Sequence, residues 1–173
     1  MTKGIESSRE KERTDRRYIA VSMSDLVKET MDEFQPRDQH FASRIHESFE
    51  QQKVMRLIGA KLGRVEPGLV EILLPFRDDL TQQNGFLHAG IVTTIIDSAC
   101  GYAAQSLMPA GTDVLSVEFK VNMLRPALGD LFTADARVIK AGRTLTVVRG
   151  DVYAETGDES KLVATMLATM ICR

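Results

Sequence analysis

The sequence predicts an α+β fold in which one long buried helix lies against a curved antiparallel sheet of five or six strands. Three observations carry this reading. Residues 88–107 are apolar nearly all round, through Ile91, Val92, Ile95, Ile96, Ala99, Cys100, Tyr102 and Ala103, so that helix must be wrapped by protein on most sides. Residues 115–123 alternate Leu115, Val117, Phe119, Val121 and Met123 with Ser116, Glu118, Lys120 and Asn122, the period of two that marks a strand. Turn chemistry at 126–130, at Ala141-Gly142-Arg143 and at 155–160 separates β-rich runs at 131–140, 144–154 and 161–171, and such short connections imply antiparallel hairpins.

The remaining elements follow in order. Residues 1–37 carry alternating charge, as in Arg9-Glu10-Lys11-Glu12-Arg13, and few large apolar side chains; they read as a solvated helix or a disordered arm, with Pro36 as a boundary. A single domain is expected over 38–173. It opens with an amphipathic helix whose apolar stripe is Phe41, Ile45, Phe49, then Gln52 and Met55, with Arg44, Glu47, Glu50 and Lys53 on the wet side. Pro67-Gly68 is a turn between two short strands, 60–65 and 69–74, and a polar loop over 77–84 leads to the long helix.

Composition narrows the function. At 173 residues, 43% apolar and 27% charged, the chain matches one ordinary globular domain, and a net charge of −2 gives no field for a nucleic-acid backbone. No run approaches the roughly 20 apolar residues that cross a bilayer. The start of the chain has neither an apolar leader nor a basic presequence, so a cytoplasmic protein is expected. Cys100 and Cys172 sit in apolar segments without a CxxC or Cys/His pattern and read as reduced thiols, and His40, His46 and His88 lack metal-ligand spacing. Neither metal nor cofactor is expected.

Two features do not fit a helix built only for burial. Asp97 stands in the middle of the apolar run, where an ionised carboxylate is unfavourable unless it is paired or hydrogen-bonded. It is either a structural ion-pair partner or a working group. The entry to the helix, Asn84-Gly85-Phe86-Leu87-His88-Ala89-Gly90, combines a flexible turn with helix-start N–H groups that have no intrahelical acceptor, a place where an oxyanion can be held. Nine residues of helix separate His88 from Asp97 by about 13 Å and turn them to opposite sides. If both serve one reaction, the simplest arrangement is a two-fold dimer with Asp97 of one subunit facing the His88–Gly90 turn of the other.

These residues carry a resemblance. Gly85-Phe86-Leu87-His88-Ala89-Gly90 with Asp97 nine positions after the histidine resembles the HGG…D signature of the phenylacetate-degradation (PaaI-type) hotdog thioesterases. Leu115–Asn122, Arg125-Pro126-Ala127, Gly142-Arg143-Thr144-Leu145 and the last strand are similar to that family's later strands, so the likeness spans about 49–172. It implies an enzyme that hydrolyses acyl-CoA, active as a homodimer or a tetramer of dimers. Asp97 would activate water or attack the thioester, the Ala89 N–H would polarise the carbonyl, His88 and Gly90 would shape the turn, and Ser116 would help to position water. Among substrate-binding candidates, Gln82 stands where many relatives have asparagine, Gln83, Asn84 and Gly85 are its neighbours, and Arg143 could reach the CoA phosphates. Ala89 departs from the family's second-position glycine, keeping the N–H but restricting the backbone.

Other readings are weaker. Ser98 adjoins Asp97 on one helix and cannot face it in a triad. Cys100 lacks a basic partner to activate it. Arg149-Gly150-Asp151 falls inside an expected strand, where an adhesion motif would be coincidence. A non-catalytic acyl-CoA or lipid-binding module and a hydroxyacyl-CoA dehydratase remain as alternatives. The acyl pocket is expected to draw on residues such as Tyr102, Met108, Phe119 and Met123, for a fatty or an aromatic acyl group.

Overall fold

A computed structural model describes residues 34–173, and Phe34–Arg173 form one compact unit. Most of the charged arm read over 1–37 lies outside the described residues. The unit runs α1 (Phe41–Gln51), α2 (Lys53–Ile58), β1 (Lys61–Glu66), β2 (Leu69–Pro75), a 3-10 turn (Asp78–Leu80), α3 (Ala89–Gln105), β3 (Val114–Met123), β4 (Leu131–Ala141), β5 (Leu145–Thr156) and β6 (Glu159–Cys172). All six strands form one antiparallel sheet in the order β1-β2-β4-β5-β6-β3. The expected α+β architecture is therefore present, with α3 lying against the sheet.

The sheet accommodates α3 because its inner positions are small where the helix approaches. Ala134, Ala136, Gly150, Ala164 and Ala168 are interleaved with Phe132, Val148, Val152, Met166 and Met170 on the buried face. A Cβ at Gly150 would stand 2.6 Å from Ile96 Cγ1 and 2.9 Å from Cys100 Sγ, so only glycine lets the helix come this close. This packing also gives the Arg149-Gly150-Asp151 tripeptide a structural reason. Ile95, Ile96 and Val92 are buried between helix and sheet, and each contributes about 1.5–3 kcal/mol by leaving water.

Three expectations are corrected in detail. The first amphipathic helix is two helices, broken at Gln52, rather than one stripe reaching Met55. Arg44, expected on the wet side, instead turns inward: its guanidinium donates to the carbonyls of Gln105, Met108, Pro109 and Thr112, and its Nε forms an ion pair with Asp38 Oδ2 at 3.1 Å without hydrogen-bond alignment. It thus closes the C-terminal end of α3, where carbonyls lack intrahelical partners and a cation is favoured. The third correction concerns β3. Ser116 pairs with Met170 but Glu118 with Thr169, so Val117 is an extra residue and the strand changes face at a bulge. Directly paired residues share a face, so Ser116 joins Phe119, Val121 and Met123, paired with Ala168, Met166 and Ala164, on the helix side. A strict period of two would have placed it opposite them.

Candidate functional site

The bulge brings together two of the expected site residues. Ser116 Oγ donates to Asp97 Oδ1 at 2.7 Å, and the other carboxylate oxygen has no hydrogen-bond partner among the described residues. Asp97 is half-buried rather than sealed in the core, because the face of α3 bearing Asp97, Ser98 and Gly101 is left uncovered by the sheet. It opens into a groove of about 190 Å³ whose lining includes Gln52, Ser98, Tyr102, Leu115 and Ser116. No carboxylate–cation pair involves Asp97 among the described residues, so the structural ion-pair reading of this residue finds no support there.

The helix entry forms a second feature. His88 is the N-cap of α3, and its Nδ1 accepts the Gly90 N–H at 2.9 Å, which consumes one of the helix-start donors. The N–H groups of Ile91 and Val92 both return to the His88 carbonyl. Ala89 N–H is left without an acceptor among the described residues, and Ala89 borders an open cleft of about 180 Å³ lined by Gln82, Phe86, Leu87, Val92 and Met123. The preceding turn is fixed by Gly85, whose φ of +78° requires glycine, and by the Asn84 N–H, which donates to the Gln82 side-chain oxygen. Gln83 and Asn84 point outward and are exposed at this turn.

Arg143 is exposed in the hairpin between β4 and β5. Leu145 pairs with Ile171, which pairs in turn with Leu115, so this hairpin stands at the same end of the sheet as Ser116. The structure therefore joins Asp97 and Ser116 in one groove, with the Arg143 hairpin at the same end of the sheet but two strands away, and places Ala89 and Gln82 at the apolar cleft. Of the expected pocket residues, Tyr102 lines the groove and Met123 the cleft, Met108 is buried in the core, and Phe119 is exposed on β3.

The thiol set aside as a nucleophile is inert on physical grounds: burial pushes Cys100 up, and the nearby Asp97 and Asp151 charges push it further. The Tyr102 phenol is also raised by burial, against the opposing effect of hydrogen bonds to Ser48 and Gln52. Gln52, expected on the apolar stripe of the first helix, instead lines the groove beside Asp97; a carboxamide on such a stripe is the sequence signal of this placement.

No helix among the described residues is long and apolar enough to cross a membrane, and none of their His, Cys, Asp and Glu side chains gather in threes as a metal site would require. Comparison with known proteins gives a consistent result. The thioesterase superfamily model matches residues 84–161. A solved thioesterase family protein from Silicibacter pomeroyi is 51% identical, the match covering 76% of this chain and 97% of that one, with a TM-score of 0.75. A protein of Saccharolobus solfataricus provisionally named an esterase is 33% identical over 129 residues, 75% of this chain and 83% of its own length. The E. coli PaaI protein of the phenylacetic acid degradation operon shares the fold at 21% identity, with a TM-score of 0.68 over 76% of this chain and 93% of that one. By sequence and by fold, then, this chain belongs to the thioesterase superfamily, a thioester hydrolase built on the hotdog fold that the PaaI protein shares.

Proposed function

We propose that the protein hydrolyses acyl-CoA thioesters in the cytoplasm as a two-fold dimer, each active site combining Asp97 of one protomer with the Ala89 N–H of the other. The observation that carries the reading is the Ser116–Asp97 hydrogen bond at 2.7 Å in an open groove. It holds a carboxylate in one orientation with one oxygen free to accept a proton.

The dimer is supported by β3, the outermost strand of the sheet on its side. Leu115, Val117, Phe119 and Met123 are 48%, 55%, 44% and 43% exposed there, a run of large apolar side chains along an open edge that a partner strand would cover. Pairing β3 with the β3 of a second copy covers these side chains and sets the second helix beside the first groove.

The reaction then runs on groups the chain supplies. Asp97 takes a proton from water as the water oxygen bonds to the thioester carbon. The carbonyl oxygen gains negative charge, which the Ala89 N–H and the positive end of α3 stabilise. The carbon–sulfur bond breaks as the carbonyl re-forms, and the leaving CoA thiolate recovers the proton from Asp97. The cleft of Phe86, Leu87, Val92 and Met123 takes the acyl group, Gln82 stands at its polar end, and Arg143 offers a cation to the CoA phosphates.

Steady-state release of CoA from a panel of acyl-CoAs tests this reading, with Asp97→Asn alongside the wild type. Loss of at least two orders of magnitude in kcat for Asp97→Asn is expected, within the range for a general base. Turnover that survives the substitution would remove Asp97 from the chemistry.

A further inference from the structure

The break between α1 and α2 has no proline or glycine to cause it. Gln52 is the one non-helical residue between Gln51 and Lys53, with φ −71° and ψ 96°. Its N–H returns to the Phe49 carbonyl at 3.0 Å and its own carbonyl accepts from Met55 at 3.1 Å, so the chain remains hydrogen-bonded on both sides of the break. The result is to swing a carboxamide out of the helical stripe and into the groove that contains Asp97.

That carboxamide is held in place. Ser98 Oγ donates to Gln52 Oε1 at 3.3 Å, and the Tyr102 hydroxyl, itself hydrogen-bonded with Ser48 Oγ at 3.3 Å, feels the Gln52 amide as a group that favours its phenolate. The contact that favours the Tyr102 phenolate uses at most one of the two amide N–H groups, so the other is left to donate into the groove. On the other wall Ser116 occupies Asp97 Oδ1 and leaves Oδ2 open. A half-buried groove thus contains one unspent proton acceptor and one unspent donor, each on a side chain fixed by a hydroxyl.

We propose that Gln52 is a positioning residue for the attacking water: its amide N–H donates to the water oxygen while Asp97 Oδ2 accepts the water proton. A water held only by the carboxylate can swing about that bond. A second contact fixes the direction of the lone pair that attacks, and misplacement of a reacting group by about 1 Å can cost 100-fold. This inference rests on the assignment of Asp97 as the base.

The test compares full-length wild type with Gln52→Met, Gln52→Glu and Asp97→Asn, using decanoyl-CoA and phenylacetyl-CoA as probes. Gln52→Met removes the donor at nearly constant volume, and Gln52→Glu keeps an acceptor for Ser98 while removing the N–H, so a folding defect in one leaves the other to report. Expected for both is a tenfold or larger fall in kcat with KM within threefold and a melting temperature close to wild type. With hydroxylamine added as a competing nucleophile, the partition of product should move away from water in both variants. Unchanged kcat and unchanged partition, or a loss confined to KM, overturns the role of Gln52 alone if Asp97→Asn is inactive in the same assay. Wild-type turnover in Asp97→Asn instead overturns the assignment of the base, and this inference falls with it.

Discussion

The groove at Asp97 and the cleft at Ala89 lie along one helix, about 12 Å apart, yet differ in kind. The groove is polar, with a carboxylate, the hydroxyls of Ser98, Tyr102 and Ser116, and the Gln52 carboxamide. The cleft is apolar, lined by Phe86, Leu87, Val92 and Met123, with the backbone N–H of Ala89 beside it. The groove has a proton acceptor and side-chain donors but no helix-start N–H for an oxyanion, while the cleft has such an N–H and room for an acyl chain but no base. On the proposed reading each supplies half of a hydrolytic site, the arrangement expected when two copies complete each other. The two edges of the sheet differ in the same sense. β1 is six residues long and bears Lys61, Arg64 and Glu66, whereas β3 is ten residues long and, despite its bulge at Val117 and its charged Glu118 and Lys120, presents a row of exposed apolar side chains. Only the second is suited to pairing with another strand.

The largest effect should come from the cleft. Ala89→Pro deletes the N–H at the first helical position, where proline is accepted, and His88 already has ψ 136°, the extended value that precedes proline comfortably. A fall in kcat of about 100- to 1000-fold is expected at wild-type thermal stability, whereas Ala89→Gly, which keeps the N–H, should retain most of the rate. Next comes the contrast of edges. Val117→Lys should give monomers by light scattering and lose activity tenfold or more at low protein concentration, while Glu66→Lys on β1 should change neither. Ser116→Ala releases the Asp97 carboxylate, and about a tenfold loss of kcat is expected, since a hydrogen bond to a charged group contributes roughly 1.5–3 kcal/mol. The smallest effect concerns Tyr102. Its folded pKa is raised by burial, so its share of stability is intact below about pH 10, the value of an unfolded tyrosine, and is lost as pH rises through the folded value. The urea midpoint should therefore fall less between pH 9 and pH 11 in Tyr102→Phe than in wild type.

Much of this was legible in the sequence for reasons that can be named. Asp97 stood out because an ionised group in an oily helix has few bland explanations, and the Gly85–Gly90 segment because glycine, a capping histidine and a helix start have defined backbone consequences. The strands were readable because alternation and turn residues survive whatever the tertiary packing does. What escaped depended on the third dimension. The bulge at Val117 turns on a register of pairing between β3 and β6 that no local pattern encodes, yet it decides that Ser116 meets Asp97. Arg44 looks like any solvated charge until the carbonyls at the end of α3, more than sixty residues away, are placed around it. Gln52 offered a signal, a polar residue on an apolar stripe, but its meaning lies in Ser98 and Tyr102 across the groove.

The most direct test of a shared site is complementation. Asp97→Asn and Ala89→Pro chains, each inactive alone, are mixed, unfolded and refolded together, and CoA release is measured. If Asp97 of one protomer works with Ala89 of the other, half of the dimers are mixed and each contains one intact site, so about a quarter of wild-type activity should return. If both groups act within one chain, no dimer contains a working pair and the mixture stays as inactive as its parents.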